Sequence, residues 1–320
     1  MLLFAPTHSA AFARRIAESL GTTLAASEER EFDGGEHKMR PLQEVRGHDV
    51  FVIQGLCGDP SASANDKLCR LLFFIGALKD AGAARVTACL PYLAYARKDR
   101  RTQYLDPVTT RYVAALFEAV GVDRVVVLDV HNEAAFDNAF RCETVRIEAM
   151  APFAEYLAPA ADTTPIVVAS PDTGGIKRAQ RFRETLEQSS GRSIGFAFME
   201  KRRASGVVSG EIFTGDVQRA NVILFDDMIA SGGTILRASR AARSAGAQRV
   251  DVVATHAAFL PTAAQLFAHG GPETVTVSDS VALTSAFEPM LKAGLRICSV
   301  APLFASTIAK LANRQANRQA

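Results

Sequence analysis

The chain lacks most of the features that mark secreted, membrane or nucleic-acid-binding proteins. Cysteine is scarce: Cys57, Cys69, Cys89, Cys142 and Cys298 are five in 320 residues, odd in number, widely spaced and without a C-x-x-C pair. That excludes a disulfide framework and argues against a cysteine-held metal; the five read as reduced core residues of a cytoplasmic protein. No run approaches the roughly 20 apolar residues needed to cross a bilayer. The first five residues are apolar but have neither the basic leader nor the long apolar core of a signal peptide, and Arg14 and Arg15 interrupt the next stretch of chain. Net charge is missing too: 36 Lys+Arg stand against 34 Asp+Glu, giving +2. No overall field draws nucleic acid or anionic lipid, so neither nucleic acid nor membrane is an expected partner, and any anion site is local. No two glycines are separated by a single residue and no G-x-x-x-x-G-K-[ST] loop exists. Both common nucleotide fingerprints are therefore absent.

What is present is an ordinary globular composition, 48% hydrophobic and 22% charged, with a length that fits about two domains at roughly 150 residues each. Short β-branched runs at 49–54, 85–91, 124–130, 166–170, 222–225, 250–255 and 274–278 read as buried strands. Helical patterns at 64–81, 108–120, 177–186 and 234–245 alternate with them, which predicts an α/β protein with mainly parallel sheets. Three helix-to-strand joints share one pattern: Gly82, Gly121 and Gly246 each follow a helix end and precede a short turn and an Arg-Val strand start. Glycine there is what a left-handed helix cap requires. Two joints fall in the first half and one in the second, so the halves are expected to be structural duplicates. An Ala-, Pro- and Thr-rich segment at 157–165 is the expected linker. The duplicated Asn-Arg-Gln-Ala at the carboxyl end is polar all round and is expected to fray.

The most informative stretch is 222–234: an apolar strand ending in Asp226-Asp227, then Met228-Ile229-Ala230, then Ser231-Gly232-Gly233-Thr234 at a helix start. Two hydroxyls, two glycines and free N–H groups make an anion cradle. Asp226 and Asp227 are suited to a sugar diol or to Mg²⁺. A helix N-cap beside two solvated aspartates is the plainer alternative. The full pattern resembles the phosphoribosyl-pyrophosphate-binding motif of the type I phosphoribosyltransferase fold.

Further landmarks, in order, are Phe32-Asp33-Gly34-Gly35-Glu36, Val45-Arg46-Gly47-His48-Asp49-Val50, Asn65-Asp66, the cationic segment 91–101 with Arg97, Lys98, Arg100 and Arg101, Asp129-Val130-His131, Ser170-Pro171-Asp172-Thr173-Gly174-Gly175 and Lys201-Arg202-Arg203. With them the chain resembles the ribose-phosphate pyrophosphokinases, also called phosphoribosyl pyrophosphate synthetases, from about residue 32 to 256. The resemblance implies two tandem type I phosphoribosyltransferase-like domains, each a mainly parallel sheet flanked by helices, at 1–148 and 149–305, with a helix and tail at 306–320. The implied reaction passes the diphosphoryl group of ATP to the C1 hydroxyl of ribose 5-phosphate and releases AMP. Phe32, Asp33, Glu36, Arg97, Lys98 and Asp99 are then the ATP side; Asp226, Asp227, Ser231, Gly232, Gly233 and Thr234 hold ribose 5-phosphate. His131 and Asp172 serve Mg²⁺, and Lys201 and Arg203 are the catalytic cations of a mobile loop. The family's adenine loop contacts ATP in a neighbouring subunit, which implies a homo-oligomer built from dimers, commonly a hexamer.

Several positions depart from the family pattern. Gly34 stands where the adenine loop has Asp, Lys98 where Gln is usual, Leu105-Asp106-Pro107 where Arg-x-Pro follows the cationic loop, and Ala230 where an Asp helps hold the ribose or its phosphate loop. A weakly active or non-catalytic regulatory homologue, or a type I phosphoribosyltransferase, remains an alternative on the sequence alone.

Overall fold

The computed structural model describes residues 1–157, 164–204, 207–283 and 285–319; the side chains of 201–212, 286 and 315–319 lie outside that description, as does most of the expected linker at 157–165. The chain divides into two compact units. One comprises Met1–Glu148, Ser280–Ala282 and Val300–Ala320; the other comprises Ala149–Asp279 and Leu283–Ser299.

The first unit runs β1 (Leu2–Phe4), α1 (Ala10–Ser19), β2 (Ser27–Glu31), β3 (His37–Pro41), β4 (Asp49–Ile53), α2 (Ala64–Asp80), β5 (Arg85–Leu90), α3 (Thr109–Ala119), β6 (Arg124–Leu128), α4 (Glu133–Ala139) and β7 (Glu143–Ile147). Its main sheet has the order β1-β4-β5-β6-β7, every pair parallel. Strands covered on both faces must be apolar throughout, which is why β4, β5 and β6 read as continuous hydrophobic runs. Val50, Val52, Val86, Ala88, Val125 and Val127 face one core with Leu71, Phe74, Ile75, Leu78, Val113 and Phe117 of α2 and α3. A separate hairpin, β2 with β3, carries the 32–36 turn at its tip.

The second unit contains α5 (Met150–Leu157), β8 (Ile166–Ser170), α6 (Ile176–Ser190), β9 (Gly195–Ala204), β10 (Val207–Thr214), β11 (Asn221–Met228), α7 (Gly233–Ser244), β12 (Arg249–His256), β13 (Thr274–Ser278), α8 (Glu288–Lys292) and β14 (Leu295–Cys298). Its sheet order is β10-β9-β8-β11-β12-β13-β14, parallel except for the β9–β10 hairpin. Along β11 the alternation of side chains is plain. Val222 and Leu224 join the core of α7, while Phe225 on the other face stacks on Phe182 of α6, ring centroids 4.1 Å apart.

The three glycine joints have one geometry. Gly82, Gly121 and Gly246 are left-handed at φ 86°, 84° and 97°. In each case the glycine N–H and the next residue's N–H bond back to the two helix carbonyls that a Schellman cap closes: Lys79 and Leu78, Glu118 and Phe117, Arg243 and Ala242. A carboxylate then fixes the strand that follows two of them. Asp123 accepts the Val86 N–H at 2.7 Å, and Glu273 accepts the Val250 N–H at 2.8 Å.

The last helix, α9 (Ala301–Gln319), follows the final strand of the second unit but belongs to the first. It packs on α1, where Phe304 meets Phe12 edge to face at 5.6 Å and both are buried. The backbone of the polar carboxyl end is helical as far as Gln319. Replacing Phe304 by Ala removes a fully buried ring and should cost about 3–5 kcal/mol of unfolding free energy. Urea denaturation checks this; a loss under 1 kcal/mol, on the order of a surface substitution, would show that α9 does not anchor the first unit.

Candidate functional site

The second unit builds its site at the carboxyl ends of β8 and β11, where an open parallel sheet leaves its ligand crevice. Asp226 and Asp227 close β11, and Arg178, from the first turn of α6, bridges both: its Nη1 lies 3.4 Å from Asp226 Oδ1 and 3.0 Å from Asp227 Oδ1. The Asp227 N–H also donates to Asp226 Oδ1 at 2.8 Å. Burial, and then the adjacent Asp227 carboxylate, push the Asp226 carboxyl well above the usual range; the Arg178 guanidinium opposes them. Sequence reasoning missed Arg178, whose only signal is its place three residues after the Gly174-Gly175 turn.

Asp172 lies early in the turn from β8 into α6, beside this pair. Its Oδ1 accepts the N–H groups of Gly174 at 2.9 Å and Gly175 at 3.1 Å. The turn has no room for a side chain at Gly175, where a Cβ would stand 2.7 Å from Ser170 Oγ, 3.9 Å from Asp172 Oδ1 and 4.0 Å from Asp226 Oδ1. Glycine thus keeps open a small space edged by a hydroxyl and two carboxylate oxygens, a hard-oxygen environment that suits Mg²⁺.

Beyond β11 the chain turns through Ser231 and Gly232 into α7. Gly232 has φ 78°, and a Cβ there would stand 2.9 Å from the Leu266 side chain, so both backbone shape and packing require glycine. The turn is held from outside as well: the Leu260 N–H bonds the Ala230 carbonyl at 3.0 Å, and the Thr262 hydroxyl donates to the Ser231 carbonyl at 3.3 Å. Thr234 accepts from Arg237 at 3.4 Å. Arg237, one turn into the helix, therefore adds a cation beside the N–H groups of the cradle. It too was missed, although its i,i+3 spacing from Thr234 is visible in the sequence.

In the first unit the cationic loop leaves β5 and enters α3. Arg97 and Arg100 are exposed and make no hydrogen bond or ion pair with described residues. Asp99 Oδ2 accepts from Asn132 Nδ2 at 2.6 Å, which ties the loop to the residue after His131. His131 is exposed just beyond the end of β6. Lys98 Nζ is engaged with Asp106 Oδ2 at 2.5 Å and Thr102 Oγ1 at 3.1 Å. Phe32 is half-exposed at the β2–β3 tip with the Arg30 guanidinium 5.2 Å above its ring, and Asp33 and Glu36 are exposed beside it. Gly34 and Gly35 are both left-handed, at φ 79° and 86°, so the replacement of Asp by Gly34 falls where glycine costs no strain. Asn65 accepts the Tyr95 hydroxyl, and Asp66 completes a capping box with Ser63 at the start of α2.

The family resemblance puts Lys201 and Arg203 in a mobile loop. Their backbone instead continues β9 to Ala204, Lys201 pairing with Glu211 and Arg203 with Val208, next to a register shift; their side chains lie outside the described residues. His131 belongs to the first unit and Asp172 to the second. Among the described residues no group of three or more His, Cys, Asp and Glu side chains is disposed to hold a metal by itself. No described helix is long and apolar enough to cross a membrane.

Comparison with known proteins covers nearly the whole chain. Residues 1–121 match the N-terminal domain of ribose phosphate pyrophosphokinase, and 146–263 match the phosphoribosyl transferase domain. Ribose-phosphate pyrophosphokinase of Haemophilus ducreyi is 34% identical over 315 residues, covering 98% of this chain and 96% of that one. The enzyme of the same description from Vibrio parahaemolyticus is 34% identical over 317 residues, with 98% and 97% covered. The crystal structure of phosphoribosylpyrophosphate synthetase from Mycobacterium smegmatis superposes with a TM-score of 0.88 at 32% identity, covering 98% of this chain and 99% of that one.

The raised Asp226 carboxyl has a consequence for stability. A folded-state value above the unfolded one contributes stability at low pH that is lost as pH rises through the folded-state value. Asp226→Asn removes that loss while keeping an oxygen for the Asp227 N–H. The ligand-free variant should melt a few degrees above the parent near pH 8, with the advantage shrinking toward pH 5. A melting difference independent of pH would contradict this account of the pair.

Proposed function

The chain belongs to the ribose-phosphate pyrophosphokinase family, and from that premise we propose how its residues divide the work. The enzyme transfers the diphosphoryl group of ATP to the C1 hydroxyl of ribose 5-phosphate, giving 5-phosphoribosyl 1-pyrophosphate and AMP. The hydroxyl oxygen bonds the β-phosphorus, the bond from that phosphorus to the bridging oxygen of AMP breaks, and the hydroxyl proton is released. Charge builds on a crowded triphosphate, so acceleration rests on positioning and on cations rather than on covalent chemistry.

Ribose 5-phosphate takes the cradle of the second unit: Ser231, Gly232, Gly233 and Thr234 receive the 5-phosphate on backbone N–H groups and hydroxyls, and Asp226 and Asp227 accept from the ribose hydroxyls. What carries this reading is the strand-end Asp226-Asp227 pair followed by the left-handed Gly232 at the start of α7. ATP is the ligand of the first unit's loops. Arg97 meets the polyphosphate, Asp99 holds the loop toward Asn132, and Phe32, Asp33 and Glu36 contact the adenine of a nucleotide bound to a neighbouring copy in a dimer-based assembly. Mg²⁺ would be held at two places, one ion through His131 and a second through Asp172, each completed by substrate oxygens and water, and would draw charge off the phosphates. The space at Gly175 supports Asp172 in this role; His131, a nitrogen donor, is the less natural partner of so hard an ion. Lys201 and Arg203, carried on β9, supply positive charge to the diphosphoryl group in the transition state. Five free cysteines fit the reducing cytoplasm in which we place the enzyme.

Purified protein given ribose 5-phosphate and MgATP should form AMP and 5-phosphoribosyl 1-pyrophosphate in equal amounts. No AMP across a range of Mg²⁺ and phosphate concentrations would refute synthetase activity, and consumption of supplied 5-phosphoribosyl 1-pyrophosphate only on addition of a nucleobase would favour a transferase. Lys201→Ala should lower kcat about 10²–10³-fold with little change in KM for ribose 5-phosphate, since its contact is made mainly in the transition state. An unchanged kcat would remove Lys201 from the chemistry.

A further inference from the structure

We propose that Lys98 and Asp106 form an internal clasp that shapes the cationic loop, with Lys98 acting as a positioning residue rather than as a ligand of ATP. The proposal rests on the reading that this loop receives the polyphosphate.

The loop from 95 to 110 contains no regular element before α3 and would by itself sample many shapes. Its ends are fixed: Leu93 and Ala94 are buried at the entrance, and at the exit Thr110 donates through its hydroxyl to the carbonyls of Tyr95 at 3.1 Å and Lys98 at 3.3 Å. Between them a single carboxylate organises the chain. Asp106 Oδ2 accepts from Lys98 Nζ at 2.5 Å, from the Thr102 N–H at 3.0 Å, from the Thr102 hydroxyl at 2.6 Å and from the Gln103 N–H at 3.0 Å. The Asp106 carbonyl accepts from Arg101 Nε at 3.2 Å. To reach this arrangement the chain passes through Leu105 with φ 66°, a left-handed shape that a leucine takes only when its surroundings impose it. The Lys98 hydrogen bond and then those from Thr102 hold the Asp106 carboxyl well below the usual range.

The charge is thereby sorted. Lys98 is neutralised by its partner and turned inward along the loop, whereas Arg97 on one side and Arg100 on the other stay exposed and without partners among the described residues. A free ammonium between two guanidinium groups would add repulsion to an already crowded segment; paired with Asp106, it holds the backbone that presents them. Loops that are ordered before the ligand arrives lose less entropy on binding. Lys98 stands where Gln is usual in the family, and its partner Asp106 occupies the middle position of the segment in which Leu105 replaces the arginine of Arg-x-Pro.

The test is a double-mutant cycle in the full-length enzyme. Lys98→Met removes the ammonium, and Asp106→Asn removes the charge while keeping an oxygen for the Thr102 and Gln103 N–H groups. Each single variant should raise KM for ATP about tenfold, the order expected for loss of one charge-assisted hydrogen bond, with kcat and KM for ribose 5-phosphate within about twofold. The double variant should be no worse than the worse single one, because both remove the same interaction. Lys98→Arg should restore most of the affinity. Trypsin digestion of the ligand-free protein adds a readout without turnover: cleavage after Arg97, Arg100 and Arg101 should quicken in both single variants. The clasp is overturned if Asp106→Asn binds ATP like the parent while Lys98→Met does not, if the two penalties multiply, or if neither changes KM or cleavage. Arg97→Ala separates the underlying reading: a parental KM for ATP in that variant would remove the loop from the nucleotide site, whatever the clasp does to cleavage.

Discussion

A parallel sheet must be covered on both faces, because each strand is reached by a crossover that lays helix against it. Polar chemistry therefore has little choice of place: it collects where the strands end and the chain turns into the next helix. In this protein the candidate site residues sit at such places. Asp226 and Asp227 close β11, Asp172 follows β8, the cationic loop follows β5, and His131 follows β6. Two units built on that constraint present one kind of edge twice, loaded with opposite charge. Arginines lead in the first, and carboxylates beside the start of α7 lead in the second.

Within the second unit the central tension is between burial and charge. Asp226 and Asp227 are neighbours on one strand, and Asp227 is nearly inaccessible. Arg178 opposes the cost of placing them together, and it does so across both carboxylates with one nitrogen. Such an arrangement holds stability in reserve for a ligand that brings hydroxyl donors or a cation. The turn at 231–234 is different in kind: Gly232, Leu266 and the bonds to residues 260 and 262 fix its backbone without needing charge.

Much of this was legible in the sequence, for identifiable reasons. The apolar runs of β4, β5, β6, β8 and β12 could only be buried strands, and the three glycine joints announced the caps that the structure contains. The β2–β3 hairpin was not legible as strands, since Ser-Glu-Glu-Arg-Glu and His-Lys-Met-Arg-Pro carry no alternating apolar pattern and are nearly all polar. The continuation of β9 through Lys201 and Arg203 was hidden by the same charge. Arg178 and Arg237 escaped because surface-type residues on helices look alike until a partner across the fold is known. Asp106 stood out only as part of a lost Arg-x-Pro, and its four bonds within the loop could not be foreseen from spacing.

The position of α9 has a consequence for biosynthesis. The helix that completes the first unit comes after the whole of the second in sequence, and Phe12 waits for Phe304 until the strands and helices of that second unit have been made. A nascent chain can assemble β1 through β7 early, but the surface of α1 that meets Phe304 stays uncovered until the second unit has been synthesised. Cutting the gene at the boundary near residue 148 would therefore release an amino-terminal fragment lacking part of its own core, and a carboxyl-terminal fragment carrying a helix that belongs elsewhere.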